Sequence, residues 1–439
     1  MIVSKKSITN IIQPVMLTKL VQQTDVPTEF RSNFLHLYLD IAWFGVLSGS
    51  AVNFLNIYAA RIGATGFQIG LIGAMSAIVS LFLAIPSGRW LQTRNKGKAI
   101  FWTSVFYRVG FVIFIFLPWL FNAQGQIWAI IVLTFLMAIP LTPLGVGFNA
   151  LFAEAVPSEY RAHVASIRNI MLSIAFMVTS LISGTILDHS TFPLGYQIVF
   201  AIGALGAAMS SLHLYFVRPL HTHANPSTRS DGTIQSQPEV VPVKATFSSR
   251  RIATTLRLDI WETSFRRILL CMLAFHGTQY IAIPIFPLYY VNELHLNDDH
   301  IGIGTALFYL TVLIGSTQLR NFVYRTGNKN VTAWGVIGMA VYPFLLSMSS
   351  AVWHFYGISL FGGLVFALVN GAFANYMLDH IPAHDRPSHL AWYTITLNTA
   401  VLVGSLGGPA IADLLGLSNS LILFAILRLF AGLAILKWG

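Results

Sequence analysis

The chain alternates long apolar runs with short polar islands. A helix rises 1.5 Å per residue, so about 20 residues cross the roughly 30 Å hydrocarbon layer of a bilayer. Runs of that length lie near residues 34–60, 66–88, 98–121, 126–153, 163–187 and 194–217. After a polar gap, six more lie near 268–290, 300–319, 330–349, 352–378, 388–412 and 417–437. The pattern predicts an all-α integral membrane protein of about twelve transmembrane helices. Runs longer than a span are absorbed by tilt or by extension past the bilayer.

Charge placement orients these spans. With the N-terminus inside and the loops alternating, 23 of the 26 lysines and arginines fall in the termini or in inside loops. Arg61 alone falls on the other side, and Arg108 and Arg428 fall within spans. Arg168 counts with Arg161 in the loop after span four. This asymmetry is the positive-inside rule, and it predicts a cell (cytoplasmic) membrane protein with both termini cytoplasmic. An odd number of spans would scramble the alternation.

Composition agrees. Only 10% of the 439 residues are charged, against about 25% in soluble domains. The net charge of +10 would suit nucleic acid, but the basic residues sit in islands between apolar runs, so no nucleic-acid partner is expected. The one cysteine, Cys271, lies in an apolar run. It excludes an internal disulfide and any multi-cysteine metal site, and it reads as a buried apolar residue. The N-terminal stretch lacks a clean apolar segment ending in a small-residue cleavage site. Residues 1–32 are expected to be a cytoplasmic tail.

Residues 219–262 are rich in Ser, Thr, Pro and charge. They read as a cytoplasmic linker, with a short surface helix expected around 251–262. The linker separates two six-helix bundles, 33–218 and 263–439. The bundles are related in sequence. Glu154, Pro157 and Arg161 recur as Asp379, Pro382 and Arg386, each offset by 225 residues. Arg89, Arg94 and Lys98 recur as Arg320, Arg325 and Lys329, offset by 231. Ile69-Gly70 and Ile301-Gly302 open spans two and eight. Such matches, in order and at nearly constant offset, indicate a duplicated unit. Two parallel halves about an axis along the membrane normal are a known transporter architecture.

These residues resemble the major facilitator superfamily (MFS) over nearly the whole chain. Its loop between spans two and three reads roughly Gly-x-x-x-Asp-Arg-x-Gly-Arg-Lys. Here Gly88 fits, Gln92 stands where the acid usually sits, and the basic spacing is shifted through Arg94, Lys96 and Lys98. The Glu154 and Asp379 signatures match the family loop more faithfully. The antiporter-type Gly-Pro motif is absent from span five, while Gly407-Gly408-Pro409 lies in span eleven. The resemblance implies two pseudo-symmetric six-helix bundles and alternating-access transport.

The candidate chemistry falls into two groups. At the cytoplasmic gate, Glu154 and Asp379 are expected to pair with arginines or lysines of the loops after spans two and eight, and to break when that side opens. The wider gate set is Gly88, Arg89, Arg94, Lys98, Glu154, Pro157, Arg161, Arg320, Arg325, Lys329, Asp379, Pro382 and Arg386. Within the membrane, an ionisable residue costs roughly 2.5–3.5 kcal/mol on insertion scales. Asp40 and Arg108 lie at similar depth and could pair, and Asp40 is the candidate for proton coupling or for attracting a cation. Arg428 could snorkel to the surface. Asn53, Asn149, His276, Gln279, Tyr280 and Asn370 are candidates to line a path, joined in span eleven by Trp392, Tyr393 and Asn398. Spans one, four, seven and ten line the path in the resembled fold. Pro284 and Pro287 could kink span seven, and Gly404, Gly407 and Gly408 suit close helix packing.

No Walker-type loop appears, so ATP is not the energy source. No nucleophile triad or metal-ligand cluster appears, and neither enzyme activity nor a cofactor or metal is expected. The sequence therefore predicts a secondary active transporter, a monomer in the lipid bilayer, whose partners are a small-molecule substrate and protons. Proton-coupled efflux of an amphiphilic or cationic molecule leads. Uptake of a nutrient by symport and a non-transporting membrane scaffold are the alternatives.

Overall fold

The computed structural model describes residues 28–157, 159–219, 257–382 and 385–439. The regular elements among them are helices. The first, α1, is composite: Thr28–Leu47, a π-helical turn at Ser48–Val52, and Asn53–Arg61. Then come α2 (Gly66–Gln92), α3 (Lys96–Leu120), α4 (Ala123–Ala155), α5 (Arg161–His189) and α6 (Leu194–Phe216). The second half opens with α7, which runs over Phe265–Tyr280 and resumes after a turn as Ile285–Leu288 and a π-helical turn at Tyr289–Glu293.

The next helical stretch, Asp298–Ser347, has 50 residues. A straight helix of that length would measure about 75 Å, more than twice the bilayer core. It breaks at Gly327, where φ is 81° and ψ is 160°. Only glycine takes that conformation readily. The break yields α8 (298–326) and α9 (328–347). Along α10 (Val352–Asp379), Gly304 meets Phe355 and Gly315 meets Ala367, whereas Gly338 meets Val365 and Gly335 meets Val369. The two legs therefore run in opposite directions. With α11 (Arg386–Leu415) and α12 (Leu417–Trp438), the 11 long apolar stretches make about twelve crossings. An even count puts the starts of α1 and the end of α12 on one face, called the terminal side below.

Local sequence starts several helices. Thr65 and Gln68 form a capping box that opens α2. The Asn95 and Asn122 side chains accept the Lys98 and Gly125 amides and so cap α3 and α4. Exposed Phe82, Phe106, Trp119, Trp353 and Phe430 give the outer faces their apolar and aromatic character, as lipid requires.

Three boundaries differ from expectation. The tail expected over 1–32 is already helical from Thr28, and residues 1–27 lie outside the described residues. Of the linker expected over 219–262, the described end forms a 3-10 turn at Leu258–Glu262. There Ile260 is buried, and Trp261 stacks edge-on against Trp392. Ile260 and Trp261 supply the apolar side chains that hold this end against the second half. Third, Arg168, counted with a loop, lies in α5 and is buried. Gly404 and Gly408 do pack on the Ile281 backbone, while Gly407 faces open space.

The cores show how the halves meet. On the side opposite the termini, one continuous cluster joins Leu47, Phe54, Tyr58 and Phe200 to Ile285, Tyr289, Ile301 and Phe424. On the terminal side the cores are separate. One holds Phe34, Leu37, Ile100 and Leu151. The other holds Phe265, Met272, Val336 and Tyr376. The halves are thus fused at one side and parted at the other.

Candidate functional site

A cavity of three adjoining lobes opens where the shared core ends, with volumes of about 240, 230 and 250 Å³. All three share Ile283 of the α7 turn. The first lobe sets Asn53 and Asn56 of α1 against Phe286, Tyr290, Tyr342 and Ser359 of the second half. The second is walled by Gln279, Phe308, Tyr342, Phe366 and Arg428. The third brings Asn56 and Ser76 to Tyr280, Asn398 and Ser405. A concave site with an apolar wall and a few polar groups suits a small organic molecule. Among the described lining residues, Arg428 is the one charged side chain.

On the opposite side, polar contacts tie half to half. Arg61 Nη2 lies 3.0 Å from Asp298 Oδ1, and Arg61 also donates to the Leu296 carbonyl. Tyr196 donates to Asp298 Oδ2 at 2.7 Å. Thr185 donates to Asp299, and Ser180 to the Gly302 carbonyl, both at 3.3 Å. Beside them the Phe176 and Tyr309 rings stack at 3.9 Å. A methyl group on Gly184 would stand 2.9 Å from the Asp298 carbonyl and 3.2 Å from Gly302 Cα, so backbone meets backbone there.

On the terminal side the polar contacts among the described residues stay within one half. Glu154 pairs with Lys96, the first residue of α3, just past the α2–α3 loop. Arg161 donates to the Val156 carbonyl at 3.1 Å, closing its own loop. In the second half, Asp379 accepts from the Asn328 amide at 3.0 Å rather than from an arginine or lysine. Asp385 pairs with Arg257 at 2.9 Å. Arg89, Arg94, Lys98, Arg320 and Arg325 are exposed, and Lys329, Gly88 and Pro157 are half-buried. Pro382 is exposed; Arg386 begins α11, and its side chain lies outside the described residues. The expected Glu154 pair therefore exists as a contact within a half, formed while the halves stand apart at this side.

Asp40 does not face the cavity. It is buried among α1, α3, α5 and α6, 3.2 Å from Arg168 and 3.9 Å from Arg108, and it accepts from Ser210 at 2.5 Å. Arg168 also donates to the Leu37 carbonyl at 2.6 Å and lies over the Phe148 ring. Arg108 donates to Ser104 and Ser211 at 2.8 Å. Two arginines thus share one carboxylate, which leaves Asp40 held from both sides. Arg428, expected to snorkel, is instead 3% exposed and donates to the Thr278 carbonyl at 2.7 Å. Neighbouring α7 and α9 enclose it before it can reach the surface. Among the described residues no group of three or more His, Cys, Asp or Glu gathers as for a metal.

The family model of the Major Facilitator Superfamily matches residues 41–275 and 268–439. The chain belongs to the Major Facilitator Superfamily. It is 27% identical over 154 residues to Multidrug resistance protein 1 of Bacillus subtilis, covering 35% of this chain and 38% of that protein. It is 23% identical over 292 residues to the Cis,cis-muconate transport protein of Acinetobacter baylyi, covering 65% and 66%. The chain thus matches under two thirds of the length of either relative. A D-xylose-proton symporter shares the fold at a TM-score of 0.68 and 17% identity, covering 93% of this chain and 97% of that one.

Membership of the family accounts for the resemblance read from the loop signatures. Of the path candidates, Asn53, Gln279 and Tyr280 line the cavity. His276 is buried against Tyr393, its Nε2 3.1 Å from the hydroxyl, outside the lobes. Asn149 and Asn370 are exposed and line none of the three. Trp392 sits on the linker end. Residue-by-residue reading missed Arg61, Asp298 and Arg168. For Arg61 a signal existed: it is the lone basic residue on its side, next in space to the acid pair Asp298-Asp299.

Proposed function

We propose that this MFS protein is a secondary active transporter that carries a small organic solute through the three-lobed cavity by alternating access. The side bearing the termini is cytoplasmic in this reading, supported by the basic residues gathered there. One observation carries the proposal: every polar contact described between the halves lies beyond the cavity on the opposite side, centred on Arg61 and Asp298. Such a molecule is caught open to the cytoplasm, and rocking of one half against the other would exchange the open side. Asp40 offers the cavity no free carboxylate, so the lining favours a solute other than a cation. The likeness to Multidrug resistance protein 1 supports export as the direction.

Cysteine labelling tests it. Ser76 is exposed and lines the third lobe, and the native Cys271 is buried. Ser76→Cys in membrane vesicles should react with an impermeant maleimide from the cytoplasmic side, and weakly from outside. Equal reactivity from both sides would sink the alternating-access reading. Solute flux under an imposed proton gradient then separates export from uptake.

A further inference from the structure

We propose that Arg428 recognises an anionic group, a carboxylate or its equivalent, on the transported solute. The inference rests on the reading of the cavity as the solute site. Arg428 lies eleven residues into the 22-residue α12, about 16 Å from either end and so near the bilayer midplane. It is 3% exposed and lines the second lobe. Its Nη2 donates to the Thr278 carbonyl at 2.7 Å and its Nη1 to the Met339 carbonyl at 3.4 Å. Its Nε–H has no partner. None of the ion pairs among the described residues includes it.

The other two membrane-buried arginines differ. Arg108 and Arg168 share Asp40. A buried cation with only carbonyl dipoles is costly to keep and is functional by default. What is missing is a counter-charge, and the open space beside it is the lobe. Gln279 adds an amide there, and Phe286, Phe308 and Phe366 supply an apolar and aromatic wall. A guanidinium with a free N–H beside such a wall suits a flat organic anion: the head on Arg428 and Gln279, the body on the rings. The solute would bring into the membrane the negative charge that the protein omits.

Binding to the purified full-length protein tests the assignment. The probes are benzoate, benzamide and benzamidine, which share a ring and differ in charge. Benzoate should bind best and benzamidine least. Arg428→Gln should weaken benzoate roughly tenfold or more, the loss expected for one charge-assisted contact. Arg428→Lys, which keeps the charge and loses the fork, should fall between. Should Arg428→Gln fail to fold, Arg428→Lys and Gln279→Leu serve in its place, and each should weaken benzoate more than benzamide. Benzoate binding unchanged in these variants would make Arg428 a staple between helices and overturn the proposal. So would a preference for benzamide or benzamidine, or binding of none of the three. The Ser76→Cys labelling does not depend on charge, so failure of the anion assignment is distinguishable from failure of alternating access.

Discussion

Arg61 and Asp298 meet at 3.0 Å across 237 residues of sequence and join the two halves on the side away from the termini. The carboxylate is further held by Tyr196 at 2.7 Å, so the pair is oriented and partly withdrawn from water. A pair of this kind contributes most where both members are held and shielded. It is also the kind of contact that must break for the cavity to open the other way.

Asp298→Asn should therefore loosen the opposite side. It removes the charge while leaving an amide that still fills the space. The Arg61 guanidinium, half-withdrawn from water, then lacks its counter-charge. We expect Ser76→Cys to gain reactivity from the outside in this background, with labelling from the terminal side reduced. Unchanged labelling on both sides would show that the pair does not set the resting state.

Asp40→Asn should behave differently. Here the lost charge sits in the first half alone, between Arg108 and Arg168. Removing one partner of a buried pair costs about 3–5 kcal/mol, since the other charge is left uncompensated. The expected result is a marked fall in thermal stability of the purified protein, with no change in which side Ser76→Cys reports. A variant of normal stability that loses only proton dependence would restore Asp40 as the coupling residue.

Much of this architecture was legible because bilayer physics writes it along the chain. Apolar runs gave the spans, since each must bury its own backbone in lipid. Basic residues gave the sidedness. The duplicated Glu154 and Asp379 signatures gave the halves. Equal depth brought Asp40 and Arg108 within reach of each other, and the loop signature gave Glu154 a basic partner in Lys96; what depth and spacing do not carry is how the helices rotate and enclose side chains. Arg168 follows Arg161 by seven residues and so counts with the loop in sequence, yet two turns of α5 carry it to Asp40. The depth of Arg428 in span twelve leaves snorkelling open, because depth alone does not reveal the helices that enclose it. Arg61 and Asp298 are far apart in sequence, and pairing between halves leaves no periodic trace.

Glu154→Gln should have little effect on sidedness. Its partner Lys96 lies in the same half, and both side chains are more than a third exposed. Exposed pairs are worth about 0–1 kcal/mol. The variant should stay within that range in thermal stability, and Ser76→Cys labelling should not change. A large shift of labelling would reinstate the pair as the cytoplasmic latch.

The docked linker end should respond to acid. The Ser388 hydroxyl, followed by Arg257, holds the Asp385 carboxyl below its ordinary 3.8. A depressed carboxyl contributes stability above its unfolded value, and that contribution is lost as pH falls through the lower, folded value. Docking of Leu258–Glu262 on α11 should thus hold at neutral pH and weaken only below about pH 4. Fluorescence of Trp261, which stacks on Trp392, reads the change during acid titration. In Asp385→Asn the same signal should already be altered at neutral pH and lose its acid transition.

Gly302 offers the most direct mechanical test of the closed side. A methyl group there would stand 2.7 Å from the Ser180 carbonyl and 3.0 Å from Gly184 Cα. Both obstacles are backbone of α5, which cannot step aside as a flexible side chain can. Gly302→Val should therefore force α8 from α5 on the side of Arg61 without disturbing either bundle within itself. The conformation open to that side becomes favoured, because it alone has room for the added carbons. We expect Ser76→Cys in this background to label from outside even with Arg61 and Asp298 intact, and to do so more strongly than with Asp298→Asn. If the valine variant inserted and folded yet kept its labelling confined to the terminal side, the halves would not move apart along this contact.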